Sequence, residues 1–404
     1  MRELQKSSKF DGVTYEVRGP LLDEAMRMEA AGQTVLKLNI GNPAPFGFRT
    51  ADAIVEALQQ QLPETEGYSD SKGIMAAREA IVEYAAGKGI PNVDVNHAYT
   101  GNGVSELINV VLTALLDPGD EVLIPAPDYP LWTATTRLVG GTPVHYLCDE
   151  QAHWYPDIDD MRSKITSRTK AVLVINPNNP TGANYPKDVL EQIVELAREH
   201  ELVILADEIY DRLLFDGQKH VSIASLAPDL FCITFNGLSK SHMVCGYRIG
   251  WMVLSGDKSQ AKGFIEALDM MTSMRLCSNT PGQAIVPLAL SMVKDMQYFV
   301  EPGGRVLAQR DCVYEGLSAI DGISVVKPDA AFYIFPKLDV KKFGITDDDK
   351  FAMDLLHEKH ILVTRGMGFN WPEPDHFRIV YLPDVETLQQ CMTGLAEFLD
   401  GYHQ

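Results

Sequence analysis

Several things are missing from this sequence, and each absence excludes a class of protein. Paired cysteines are lacking: Cys148, Cys232, Cys245, Cys277, Cys312 and Cys391 are scattered, with no C-x-x-C and no histidine cluster beside them. Neither a disulfide framework nor a metal site is therefore expected, and reduced thiols suit a cytoplasmic chain. No apolar run approaches the roughly 18 residues needed to cross a bilayer. The opening MRELQKSS has no apolar core of a signal peptide. Positive charge is scarce as well, with 35 basic against 55 acidic residues and a net charge of −20. That balance argues against nucleic acid or an anionic membrane as a partner. Repeats and low-complexity stretches do not occur. The glycine-rich Thr100-Gly-Asn-Gly-Val-Ser105 lacks the third glycine of a dinucleotide fingerprint and the G-K-[ST] of a nucleotide-triphosphate loop.

What remains is an ordinary globular composition, 46% hydrophobic and 22% charged over 404 residues, enough for a large core and a second smaller one. Short apolar runs read as strands: Glu121–Ile124, Ala171–Ile175, Leu202–Ala206 and Phe231–Phe235. Each stops at Pro, Asn or Asp, or at Gly within two residues. Helical spacing marks Val104–Leu116 and Pro186–His200 between them. Continuous apolar strands are buried on both faces, which predicts an α/β fold with a mostly parallel sheet. Weaker strand signals follow at Ile323–Lys327, Phe332–Phe335, Ile361–Val363 and Phe377–Tyr381. The expected division is a large domain over 49–294, and a small α+β domain over 295–404 joined by 1–48 through Leu36–Ile40.

The chemically loaded residues sit at the ends of these strands, where open α/β sheets bind ligands. Lys240, in Ser239-Lys240, follows FCITF, and Arg248 lies eight residues on. A lone lysine is usually a solvated surface group. A desolvated lysine beside a cation instead forms Schiff bases, and an arginine fork suits a phosphate. Asp207 ends LVILA, with Tyr210 three residues later. Such an Asp is most often a helix cap; the functional reading is a carboxylate paired with a protonated pyridine nitrogen, with the Tyr210 hydroxyl on the ring's 3′-oxygen. The string Asn176-Pro-Asn-Asn179-Pro-Thr-Gly182 reads either as a turn or as an amide reaching both a ring oxygen and a substrate carboxylate. Gly101–Ser105 opens a helix whose N-terminal N–H groups suit an anion, though it serves equally as a structural turn. Tyr129, in Asp-Tyr-Pro, supplies an aromatic face.

Taken in order, these motifs resemble the class I/II aminotransferases, the fold type I pyridoxal 5′-phosphate (PLP) enzymes of the aspartate aminotransferase superfamily. The resemblance runs from Leu38-Asn-Ile-Gly-Asn-Pro to Arg378. Within that family the strings N-I-G-N-P-A-P-F-G-F, G-Y-S-D-S-K-G, P-A-P-D-Y-P-L-W and F-N-W-P are most similar to bacterial glutamate–pyruvate (alanine) aminotransferases. The resemblance implies Lys240 as the Schiff-base lysine, Asp207 at the pyridine nitrogen, and Tyr210 and Asn179 on the 3′-oxygen. It stacks Tyr129 on the ring, and gives the phosphate to Arg248, Ser239 and the Gly103-Val104 backbone. It sends Tyr68 to the neighbouring subunit's phosphate, which implies a homodimer. Arg378, helped by Gly41 and Asn179, would grip the substrate carboxylate, and Tyr15 would line the pocket. The implied reaction is a ping-pong exchange between L-alanine and 2-oxoglutarate. Aromatic or branched donors, a carbon–sulfur β-lyase on the same scaffold, and a PLP-binding regulator without turnover remain alternatives. Three positions depart from the family pattern: Gly237 for a usual phosphate-binding Ser, Ala330 for a usual Gly, and Arg365 for a usual Pro.

Overall fold

The structure is a computed structural model describing residues 4–13, 15 and 19–404, with the backbone alone described for Asp295. Its centre is an eight-stranded sheet. The strands are β1 (Ala98–Asn102), β2 (Glu121–Ala126), β3 (Thr142–Asp149), β4 (Tyr155–Pro156), β5 (Thr169–Ile175), β6 (Val203–Asp207), β7 (Cys232–Gly237) and β8 (Ile249–Ser255). Their order is β1-β8-β7-β6-β5-β2-β3-β4. The five from β7 to β3 run parallel. Strand β8 is antiparallel between β7 and β1, and β4 is antiparallel on β3. The predicted mostly parallel α/β sheet is therefore present.

The strand sequences explain the layering. Every residue of β2 and β7 is buried, as continuous apolar runs require when helices cover both faces. Along β5 the side chains alternate: Ala171, Leu173 and Ile175 join one core, and Val172 and Val174 join the other. The first core takes Leu107, Ile108 and Val111 from the helix Val104–Leu115; the second takes Leu190, Ile193 and Val194 from the helix Lys187–Glu199. The latter helix begins one residue after Pro186, where a missing N–H does no harm. Strand β5 stops at Asn176 because Pro177 has no N–H to continue the ladder.

A separate core gathers the helices Arg305–Ser318, Asp348–Lys359 and Val385–Leu399 over the small sheet of Tyr333–Ile334, Phe377–Val380 and Thr364–Arg365. Leu36–Lys37 pairs in parallel with Ile361–Leu362, so the N-terminal segment threads into this part. The strand expected over Ile323–Lys327 is only Ile323–Ser324, because the strand it pairs with among the described residues, Lys337–Leu338, is two residues long. Among the described residues no helix is long and apolar enough to cross a membrane.

Candidate active site

A cavity of about 370 Å³ opens at the carboxyl ends of the parallel strands. Asp207, the last residue of β6, enters it from a strand buried from Ile204 onward. Its carboxylate accepts from Trp132 Nε1 at 3.0 Å and from the Ile209 N–H at 3.3 Å, and it has no ion pair among the described residues. Burial pushes its pKa up to about 6, since the charged form loses hydration with no cation to replace it. Tyr210 follows on the same loop. Its hydroxyl shares a 2.6 Å hydrogen bond with that of Tyr333.

Lys240 lies on a single helical turn, Leu238–Ser241, directly after β7. Its Nζ donates to the Gly41 carbonyl at 2.7 Å and stands 6.0 Å from the Tyr210 ring centroid. Ser239 and Cys245 line the same wall, and the Cys245 thiol donates to Asn42 Oδ1 at 3.3 Å. Arg248 adopts a left-handed backbone, φ 53°. Its guanidinium donates to the carbonyls of Cys245 and Asn102 at 2.8 and 3.2 Å. Gly103 caps the helix Val104–Leu115 at φ 79°. A Cβ there would meet Arg248 Nη2 at 2.3 Å, so glycine is what lets the guanidinium lie against the helix N-terminus. Val104 and Ser105 form the adjoining wall.

Arg378 comes from the other part of the molecule, on the strand Phe377–Val380. It is 3% exposed. Its guanidinium lies between the rings of Tyr333 and Phe369, each 4.5 Å from centroid to Cζ. One arm donates to Asn179 Oδ1 at 3.0 Å, another donates to the Asn39 carbonyl, and Nε is buried without a partner. Tyr129, after β2, shares a 3.2 Å hydrogen bond with Tyr15 through their hydroxyls; burial raises the Tyr129 pKa well above its usual value.

The cavity thus brings together Tyr15, Gly41, Val104, Tyr129, Asn179, Asp207, Tyr210, Ser239, Lys240, Arg248 and Arg378. Gly103 abuts the cavity from behind Arg248. Tyr68 is not in it: its side chain is 82% exposed. Asn176 is structural, with Oδ1 accepting from the Tyr185 N–H at 2.8 Å and its carbonyl 3.0 Å from His220 Nε2. The departures have local reasons. Gly237 pairs with Gly250 across β7 and β8, where a Cβ would lie 2.8 Å from the Ile249 carbonyl oxygen. Ala330 is fully buried. Arg365 turns away from the cavity toward Asp349 at 3.0 Å and Asp348 at 3.5 Å, so its charge is spent on that helix start.

Sequence reasoning missed Trp132, Phe369 and Tyr333. Trp132 and Phe369 lie inside quoted motifs, P-A-P-D-Y-P-L-W and F-N-W-P. Those motifs touch: the Asp128 N–H donates to the Phe369 carbonyl at 2.9 Å, and Asn370 Nδ2 donates to Asp128 Oδ1 at 2.6 Å.

The aminotransferase class I and II family pattern matches residues 33–395. The chain is 54% identical over 404 residues to a glutamate-pyruvate aminotransferase AlaA of Haemophilus influenzae, covering all of both chains. It is equally 54% identical to an alanine aminotransferase of Mycobacterium tuberculosis, covering all of this chain and 94% of that one. The crystal structure of an aminotransferase from Escherichia coli superposes with a TM-score of 0.98 at 53% identity, over the whole of both chains. With its glycine-backed arginine, strand-end carboxyl and lysine all on one cavity, the chain belongs to the class I and II aminotransferases.

Proposed function

We propose that this chain exchanges the amino group of L-alanine with 2-oxoglutarate, giving pyruvate and glutamate, in a reversible ping-pong cycle that depends on PLP. The carrying observation is that Lys240, Asp207 and Arg378 converge on one cavity, in a chain 54% identical over its full length to proteins named for this reaction.

The donor set fits PLP. Asp207 is a buried carboxyl with hydrogen-bond donors but, among the described residues, no ion pair; a protonated pyridine nitrogen would supply the missing cation. Arg248, Ser239 and the N–H groups at the start of Val104–Leu115 suit the phosphate, and the placement of the Arg248 guanidinium there depends on Gly103. Lys240 would hold the cofactor through its amine, Tyr210 and Asn179 would donate to the ring oxygen, and Tyr129 would cover the ring. Bound there, the cofactor supplies a carbonyl carbon to carry the amino group and a ring that withdraws electrons from the substrate.

The protein's own contribution is binding, orientation and proton transfer. Arg378 offers a planar fork to the α-carboxylate, already fixed by Asn179, Asn39 and two aromatic faces. Burial makes that charge pairing stronger than it is in water. Gripping the carboxylate orients the Cα–H bond, and Lys240 Nζ takes that proton as general base.

The domain division at 49–294 against 1–48 with 295–404 is supported by an apolar core drawn mostly from 295–404, with Tyr210, Leu213, Phe215 and Met243 packing into it from the larger part, and Phe335, Phe369 and Trp371 packing the other way. A homodimer is supported by an apolar patch around Tyr68: Met75, Met270, Met274 and Leu276 are all at least half exposed. Arg275 donates to the Ser71 carbonyl at 3.1 Å, setting these segments side by side. Patches of this kind mark interfaces, and a second copy would bring Tyr68 to a neighbouring site.

An absorbance spectrum tests the reading. A band at about 360–430 nm should move to about 330 nm with L-alanine and return with pyruvate. A band that alanine leaves unchanged would discard the substrate. Steady release of ammonia and pyruvate from cystathionine would favour a β-lyase.

A further inference from the structure

We infer that Tyr333 is a positioning residue for Tyr210: its hydroxyl sets how strongly Tyr210 donates into the cavity. This deepens the preceding reading and rests on it. The two phenols share a 2.6 Å hydrogen bond, and their rings meet edge to face at 5.6 Å and 83°. Both are 3% exposed and both line the cavity. Among the described residues neither hydroxyl has another hydrogen-bond partner.

Three contacts fix Tyr333. Its backbone pairs with Val380 on the strand that carries Arg378. The Arg378 guanidinium lies over one face of its ring. Its Oη occupies the space that a side chain at position 41 would need, since a Cβ on Gly41 would be 2.3 Å away. A packing role beneath Arg378 needs only the ring. The hydroxyl aimed at Tyr210 needs a further reason.

Proton counting supplies one. Each phenol has a single proton. If Tyr210 gives its proton to Tyr333, none is left for the cavity. If Tyr333 donates, the Tyr210 proton is free to point at the ring oxygen of the cofactor. Donation also polarises the Tyr210 O–H bond and strengthens what it donates. Tyr333 thereby connects the carboxylate-binding arginine, through its ring, with the ring-oxygen donor, through its hydroxyl.

The test uses the PLP-loaded chain and four forms: unaltered, Y333F, Y210F and the double variant. The readouts are the pH midpoint of the visible absorbance change, and kcat and KM for L-alanine. A hydroxyl donating to the ring oxygen favours the form in which that oxygen carries charge. Weakening the donor in Y333F should therefore raise the midpoint, by roughly 0.3–0.6 pH unit. KM should stay within about twofold because the ring under Arg378 remains, while kcat falls. In the Y210F background the further Y333F change should not move the midpoint, because the shift passes through Tyr210. An equal shift in both backgrounds, or an unmoved midpoint with an intact band, overturns the proposal alone. A raised KM with an unmoved midpoint also overturns it, leaving only a packing role. No visible band in the unaltered chain overturns the proposal together with the reading it rests on.

Discussion

At the scale of single residues the site depends on side chains whose charge is set by where they are buried. Lys240 is the least replaceable, because the proposed reaction asks it both to hold the cofactor and to act as the base. K240A is expected to lose the lysine-linked visible band and to cut turnover by at least about 10³-fold; near-normal turnover in that variant would sink the assignment. Much of this level was legible beforehand. Asp207 and Lys240 stand where apolar runs break off, and a polar residue at the carboxyl end of a buried strand has few other places to go; Arg248 stands just before the next buried strand, Ile249–Ser255. Tyr333 was not legible. Its meaning lies in a contact with Tyr210 across 123 positions of chain and in a clash it would make with any side chain at Gly41. Neither is encoded in local pattern. Asn176 shows a different limit of local pattern: the string around it is rich in amides, and only the fold decides that Asn179 faces the cavity while Asn176 caps backbone.

At the scale of elements, the loop after β2 and the loop before Phe377–Val380 are tied together at Asp128. This carboxyl is fully buried, accepts from Thr133 Oγ1 at 2.7 Å and from Asn370, and burial holds its pKa up to about 7. A group whose folded pKa lies above its unfolded value of about 3.9 stabilises the fold below that value. The contribution is lost as pH rises through the folded value, here about 7. Thermal melting of the cofactor-free chain should therefore weaken between pH about 4 and 7, and D128N should lose less over that interval. A D128N curve parallel to the unaltered one would show that the carboxyl is already ionised. Asp207 carries the same sign, pushed up to about 6, and binding a cation against it should remove its share. The strand expectations held best where a strand is covered on both faces. Ile323–Lys327 shortened to two residues because an apolar run states a wish to be buried and says nothing of the length of its neighbour.

At the scale of the whole molecule, Tyr68 lies outside its own cavity, and the proposed homodimer gives it a neighbouring one. Sedimentation should give twice the 44.7 kDa chain mass, and Y68F should weaken PLP binding about tenfold, the loss of one charge-assisted hydrogen bond. Wild-type affinity in Y68F, or a monomer with full activity, would remove the partner from the site. The charge layout has a kinetic consequence. The chain carries −20 overall, yet its cavity presents Lys240, Arg248 and Arg378. A dianionic oxo acid is thus repelled from afar and attracted only on arrival. Dissolved ions screen the long-range repulsion between exposed charges far more than the short contacts inside the cleft. Raising ionic strength from about 10 to 150 mM should therefore increase kcat/KM for 2-oxoglutarate while leaving that for zwitterionic alanine nearly flat. A fall for the dianion would mean that the cations of the cleft already govern its approach from a distance.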